Sequence, residues 1–334
     1  MIVIKNRRFI KKGFLFLCIL FCFTVIISGC KSVKDEGQGS EAVSEPREFK
    51  TTLTKYPGVM LWELDGYSKD GEPSKVYLLG TYHAGDERMS VFPETVQNAF
   101  DSSDRFCCEL SKSDWDNFSQ LVNDLTMQSL LTDLSHTFID DLTQDEIILI
   151  STFVDQQTLA QLACFEPWVL NNYLQSVLIL GCGLDTTKAY DIMIMNELNS
   201  RGIGFDGLDE AQTQLDLTAY GDWNTQLIML RDTLRDLQDL QTSVQEMSDL
   251  YEIFLSGDEA AFEEAYFKDL QEELNLQPVY KEYIKALLDD RNQVWADKIS
   301  AYLEQGGTTF IFAGCAHFTG PSSVFHFLEQ NGVL

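Results

Sequence analysis

The chain has 334 residues and a formal charge of −28, and it is 45% hydrophobic, 12% aromatic and 23% charged. These fractions exclude wholesale disorder, and the modest 21 Gly and 7 Pro exclude a collagen-like or low-complexity chain. With 52 acidic against 24 basic residues, the surface repels phosphate backbones, so nucleic acid is excluded as a partner.

The basic residues Lys5, Arg7, Arg8, Lys11 and Lys12 precede an uncharged apolar run from Gly13 to Ile27. That run is too short for a comfortable transmembrane helix of about 20 residues and suits a secretory leader. Ile27-Ser28-Gly29-Cys30 follows, an aliphatic residue, two small ones and a Cys. This resembles the lipobox of bacterial lipoproteins, in which the Cys thiol takes a diacylglycerol and becomes the mature N-terminus. The expected organisation is a signal peptide over 1–29, lipidated Cys30 with a flexible linker over 30–50, and one folded domain over 51–334. The linker is polar, with no aromatic before Phe49, and cannot bury a core. The expected location is the extracytoplasmic face of a bacterial cell membrane, attached by lipid.

In the mature chain, Val59–Leu64 and Val76–Leu79 read as strands that pair as a hairpin, separated by a turn region from Asp65 to Ser74. Pro93–Phe100 reads as a short helix and Arg105–Leu110 as a strand holding Glu109. Thr143–Glu146 has the form of a capping box, and Val169–Leu180 is apolar nearly all round, as a buried helix would be. Tyr190–Asn199 reads as a helix, Gly202–Leu208 as a short strand, and Thr225–Phe254 and Asp258–Leu274 as acidic amphipathic helices. Val279–Leu303 forms a helix containing Arg291 and Asn292, Thr308–Ala313 a strand, and Ser322–Gln330 a last helix. Strands at both ends thus bracket a helical middle. The expected fold is α/β (α+β), a central mixed sheet built from the N- and C-terminal strands and covered by the helical segment. After the leader Cys and Cys30, five Cys remain in no framework pattern; most read as small buried hydrophobes, with room for one disulfide in an exported protein.

Chemistry concentrates in the histidines, of which the chain has only 4. Two share a setting: Leu78-Leu79-Gly80-Thr81-Tyr82-His83 and Phe312-Ala313-Gly314-Cys315-Ala316-His317 are both an apolar strand followed by Gly-x-x-His. Each Gly lets the backbone turn off a strand end, and each His then projects beyond the sheet edge, where sites of open α/β sheets form. Two imidazoles so delivered could share a divalent metal, with Glu109 supplying a carboxylate. His136 and His326 read as structural, Cys315 as no nucleophile, and Trp223 and Trp295 as core.

The pair GTYH and GCAH, Glu109 after a strand and Arg291-Asn292 on the penultimate helix resemble the TraB/PrgY/GumN family, which includes the Tiki proteases. The resemblance runs from about residue 55 to 334 and takes in Gly183-Leu184-Asp185 and Gly207-Leu208-Asp209 with Gln214. It implies a metal-dependent hydrolase, a peptidase using manganese or cobalt, with zinc as a third candidate. It implies His83, His317 and Glu109 as metal ligands and Glu109, Arg291 and Asn292 as catalytic residues. The chain departs from the family at Asp209, where Glu is usual, and at Ser111, where an acid is common. Two functions of different class follow: a membrane-tethered hydrolase of peptide or protein substrates, or a non-catalytic lipoprotein that sequesters a peptide signal. A transporter's solute-binding lipoprotein fits the leader but not the paired motifs.

The leader generates a direct test. Wild type is expected to partition into detergent and Cys30→Ser into water, because a diacyl anchor holds where one acyl chain is marginal. Equal release of both into the aqueous phase would end the lipid-anchor reading.

Overall fold

The structure is a computed structural model that describes residues 51–276 and 279–334. The leader, Cys30 and the linker to residue 50 lie outside the described residues. Among the described residues no helix is long and apolar enough to cross a membrane.

A hairpin opens the domain. Strand β1 (Thr52–Lys55) pairs antiparallel with β2 (Leu61–Tyr67), which pairs antiparallel with β3 (Pro73–Thr81). After α1 (Glu94–Asp101) comes β4 (Arg105–Cys108), then α2 (Lys112–Gln128), α3 (Phe138–Asp141), α4 (Gln144–Ile150), α5 (Gln156–Leu162) and α6 (Pro167–Gly181). Next follow α7 (Tyr190–Arg201), β5 (Asp206–Gly207), α8 (Ala211–Thr218), α9 (Trp223–Gln238), α10 (Leu240–Ser256), α11 (Glu259–Leu276) and α12 (Val279–Ile284). A π-turn over Lys285–Asp289 leads into α13 (Asp290–Gln305), β6 (Gly307–Gly314) and α14 (Val324–Gln330). The six strands form one mixed sheet in the order β1-β2-β3-β6-β4-β5. The expected α/β architecture is therefore present, and the strands of the two Gly-x-x-His motifs lie side by side.

β3, β6, β4 and β5 run parallel, so their carboxyl ends lie on one edge. β3 and β6 are apolar on both sides, as parallel strands covered on both faces must be. Tyr77, Leu79, Phe310 and Phe312 face α1 and α7 through Val96, Phe100, Ile194 and Leu198. Val76, Leu78, Ile311 and Ala313 face the other way, into the core formed with α13 and the helical middle, where Trp295 and Ile299 are fully buried.

The differences from expectation have local causes. β1 was not foreseen, because the exposed segment TLTK lacks an apolar face and is a strand only by backbone pairing at the sheet edge. β5 shrinks to two residues. Thr225–Phe254 breaks at Asp239 (φ −122°, ψ 53°), where the Ser243 hydroxyl donates to the Asp236 carbonyl and gives the end of α9 a partner. α6 is not buried all round: Tyr173 and Leu180 are exposed. The capping box at Thr143 forms, with the Thr143 N–H donating to Glu146 and the Glu146 N–H to the Thr143 hydroxyl. None of the five cysteines of the domain forms a disulfide among the described residues.

The β1–β2 turn is clamped against the α10–α11 corner. Gly257 closes α10 with φ +67°, and a Cβ there would lie 2.0 Å from the Val59 nitrogen. Lys55 Nζ donates to the Gly257 carbonyl at 3.2 Å. Both the left-handed backbone and the contact forbid a side chain, so Gly257→Ala is expected to cost at least about 3 kcal/mol. Urea unfolding measures this; a loss under about 1 kcal/mol would mean that the corner gives way freely.

Candidate functional site

The parallel strands deliver the site. His83 lies two residues beyond β3, Glu109 one beyond β4, Asp209 two beyond β5 and His317 three beyond β6. The topology thus gathers one chemically active side chain from each parallel strand at the carboxyl edge, the position at which open α/β sheets bind ligands. All four side chains are buried.

His83 is fixed from behind. Its Nδ1 lies 2.8 Å from Asp191 Oδ2, at the start of α7. An antiparallel bridge between Gly85 and Asp185 pins the loop carrying His83 to the segment leading into α7. With Nδ1–H donated to the carboxylate, Nε2 faces Glu109 Oε1 at 3.7 Å. Burial alone would lower the His83 pKa, but the Asp191 hydrogen bond and charge, with Glu109, outweigh it and raise it.

Glu109 is held at both oxygens. Oε1 accepts the Gly314 N–H at 2.9 Å, and Oε2 accepts from Arg291 Nη2 at 2.5 Å and Gln214 Nε2 at 3.1 Å. Burial would raise this carboxyl's pKa. The Arg291 charge, with His83 and the Gly314 N–H, overcomes that and holds it at about 2. Asp209 accepts from Arg291 Nε at 2.9 Å, Gln214 Nε2 at 2.8 Å and Trp295 Nε1 at 2.6 Å.

Arg291 sits among these groups. Nε and Nη2 point at the two carboxylates, while Nη1 donates to the Leu287 carbonyl at 3.0 Å and to His317 Nε2 at 3.1 Å. Nη2 also lies 2.7 Å from Asp209 Oδ2 as an ion pair, so each guanidinium nitrogen meets an acceptor of the protein. The π-turn sets this up: the Asp290 N–H returns to the Lys285 carbonyl, five residues back, immediately before Arg291. Single π-turns in α-helices recur at functional sites.

His317 belongs to Arg291. A guanidinium can only donate, so His317 Nε2 must accept and Nδ1 must carry the hydrogen. Nδ1 donates to Asn292 Oδ1 at 2.6 Å, and Asn292 Nδ2 in turn donates to the Ser322 carbonyl. Burial, then the Arg291 charge, pushes the imidazole well below its ordinary pKa, so it is neutral. The Trp295 ring packs against it, tilted by 38° with centroids 4.1 Å apart.

The motif glycines work by space rather than by turn geometry, a correction to the reading above. Neither Gly80 nor Gly314 has positive φ. A Cβ on Gly80 would lie 3.0 Å from Cys315 Sγ, and one on Gly314 would lie 2.9 Å from His83 Nε2 and 3.5 Å from Glu109 Oε1. Each motif's glycine makes room for the other motif.

Two spaces adjoin the cluster. Thr81, His83, Gly314, Leu250, Phe262 and Tyr266 border a cavity of about 20 Å³, the volume of one water. The buried Thr81 hydroxyl has no hydrogen-bond partner among the described residues. Beyond Asp209 and Arg291, a groove of about 480 Å³ runs between α8 and α13 over Leu208, Leu217, Tyr220 and Val294.

The structure therefore brings His83, Glu109, His317, Arg291 and Asn292 into one cluster. Tested as metal donors, His83 Nε2 and Glu109 Oε1 face each other, whereas His317 Nε2 is turned to Arg291. Among the described residues no group of three or more His, Cys, Asp or Glu is arranged to hold an ion. Asp191 was missed by the sequence reading; its signal was a lone acid in the first turn of the otherwise apolar segment AYDIMIM. Ser111 is the N-cap of α2, its hydroxyl accepting the Asp114 N–H at 3.1 Å. His136 is exposed beside Asp141 and His326 pairs with Gln330, both outside the cluster.

The ion pairs imply a pH dependence. Glu109 has a folded pKa of about 2 against an ordinary 4.5. Between those values the unfolded chain binds more protons, so stability rises with pH; the contribution is complete above 4.5 and is lost as pH falls towards 2. Glu109→Gln is expected to cost about 3–5 kcal/mol at pH 7 and clearly less at about pH 3. Urea unfolding at the two pH values checks this; equal losses would mean that the charge is not what Glu109 contributes.

An uncharacterized protein of Treponema pallidum (strain Nichols) is 26% identical over 329 residues, covering 96% of this chain and 91% of that protein. No solved structure matches the chain. The profile of the TraB/PrgY/gumN family matches residues 61–334, from β2 through both histidine motifs to the last residue, and the chain belongs to that family.

Proposed function

We propose that this chain is a lipid-anchored hydrolase on the outer face of a bacterial cell membrane, cutting peptide or protein substrates with a divalent ion held by His83 and Glu109. The observation that carries the reading is the approach of His83 Nε2 to Glu109 Oε1, 3.7 Å apart and next to a cavity of about 20 Å³. Two donors at that separation suit one ion at about 2.1 Å from each. Manganese, cobalt and zinc all accept imidazole with carboxylate. Bound there, the ion would lower the pKa of a water and polarise a scissile carbonyl.

The remaining work falls to the chain. Asp191 accepts the Nδ1–H of His83 and so keeps the Nε2 lone pair aimed at Glu109, the support that a ligating imidazole needs. Glu109, its pKa held low by the Arg291 charge, stays ionised near neutral pH and can serve as a ligand. The Gly314 N–H fixes its Oε1. The Thr81 hydroxyl, on the wall of the small cavity, is available to hold the reacting water there. Arg291 is committed to Glu109, Asp209, His317 and the Leu287 carbonyl, and acts as a positioning residue for Glu109 and Asp209. Asn292 does the same for His317. The leader supports attachment to the membrane, and the acidic surface keeps the domain off anionic headgroups.

One observation favours the alternative, a lipoprotein that binds a peptide signal without cutting it. The groove of about 480 Å³ is large enough for a peptide segment, and it ends at Asp209 and Arg291 rather than at His83.

The test uses the full chain in detergent and a mixture of unstructured peptides, followed by mass spectrometry with and without chelator. Chelator-sensitive cleavage that falls at least about 10³-fold in His83→Ala is expected. Stoichiometric peptide binding with no cleavage in any metal would replace the hydrolase with the binder.

A further inference from the structure

The family resemblance suggests three metal ligands, yet the cluster offers two in the right relation. The third place is taken by a side chain of the protein itself. We infer that Arg291 stands in for a metal ion at His317, so that a divalent ion in the native fold is held by His83 and Glu109 alone and binds weakly. This rests on the ion-binding reading above but concerns affinity, not turnover.

Three observations carry it. First, the guanidinium takes the acceptors that a cation would need: its Nη2 meets Glu109 Oε2 at 2.5 Å and Asp209 Oδ2 at 2.7 Å, and its Nη1 meets His317 Nε2 at 3.1 Å. Two carboxylates and a neutral imidazole are the ligands that borderline metals accept. Second, His317 is prepared as a ligand would be. Asn292 Oδ1 takes its Nδ1–H at 2.6 Å and Trp295 packs on its face, which fixes the ring and leaves the Nε2 lone pair forward. That lone pair receives an Arg291 N–H. Third, Arg291 is held there by its own helix, because Nη1 also donates to the Leu287 carbonyl in the π-turn. An incoming ion would have to break this contact and the carboxylate pairs together, and would meet the repulsion of the guanidinium charge.

The same geometry says what removing the arginine does. Glu109 and Asp209 would be left as buried carboxylates with no cation, a costly arrangement. A divalent ion would relieve it, and His317 would become its ligand.

The test is calorimetric titration of the full chain in detergent with MnCl₂, without substrate. Arg291→Met keeps much of the side-chain volume and removes the charge. It is expected to bind Mn²⁺ at least about tenfold more tightly than wild type. Its melting temperature should rise with added Mn²⁺ by more than that of wild type, as mass action requires. In wild type, His317→Ala should change Mn²⁺ affinity by less than about threefold, whereas in the Arg291→Met background it should abolish the gain. If Arg291→Met does not fold, Arg291→Met with Asp209→Asn removes one uncompensated carboxylate and is titrated instead. A loss of tenfold or more from His317→Ala in wild type, or no gain in either arginine variant, overturns the inference. Failure of the hydrolase reading would show differently, as the expected metal pattern with no peptide cleaved.

Discussion

Two carboxylates and one guanidinium are buried together at the carboxyl edge of the sheet, and much of the domain's middle serves to make that tolerable. Glu109 and Asp209 leave the ends of adjacent strands with their side chains buried, where an unpaired charge costs several kcal/mol. Arg291 answers both, but a guanidinium between two acids must itself be positioned, and its five hydrogens must each find an acceptor. Gln214 bridges the acids, Trp295 covers the cation, and His317 and the Leu287 carbonyl take the hydrogens that the acids do not. Remove any one and a buried polar group is left without its partner. The strand order, the π-turn and the packing of α13 on the sheet can all be understood as the means of holding this charge pattern still.

The site's two halves differ in character as a result. On the His83 side, an imidazole backed by a carboxylate takes on protons more readily than usual and borders a small space. On the His317 side, an imidazole beside a permanent cation takes them on less readily and is closed off. Two histidines in matched sequence contexts thus acquire opposite electrostatic environments, because what lies behind each ring differs: Asp191 in one case, Asn292 and Arg291 in the other. Chemistry that treats the two motifs as equivalent ligands misses this division.

How much of this was legible in the sequence depends on which interactions are local. Gly-x-x-His after an apolar run is local, and its repetition in a histidine-poor chain identified two strands, their shared edge and two of the four edge residues. Glu109 was legible for the same reason. Asp191 was not, since an acid near the start of a helix ordinarily faces solvent or a helix dipole, whereas here the fold brings it to His83 beside the Gly85–Asp185 bridge. Arg291 and Asn292 were visible through family resemblance, but their roles were not. Whether an arginine reaches a substrate or is saturated by its own neighbours depends on the tertiary placement of Glu109, Asp209 and His317, residues 26 to 182 positions away in sequence. β1 escaped notice because an edge strand needs no apolar face, and the break at Asp239 because the helices on either side are both amphipathic.

The interlocked glycines have a consequence for inheritance. Gly80 and Thr81 stand beside Ala313 and Gly314 in the sheet, and each glycine leaves the space into which the opposite motif fits. The two motifs, far apart in the gene, are therefore a single steric unit. A bulkier residue in either one cannot be absorbed where it arises and must be answered across the strand pair. Drift at the two loci is coupled, and a lineage that abandons one motif releases the other from its constraint. Loss of the site should then pass through paired changes in related chains, leaving both motifs intact or both eroded.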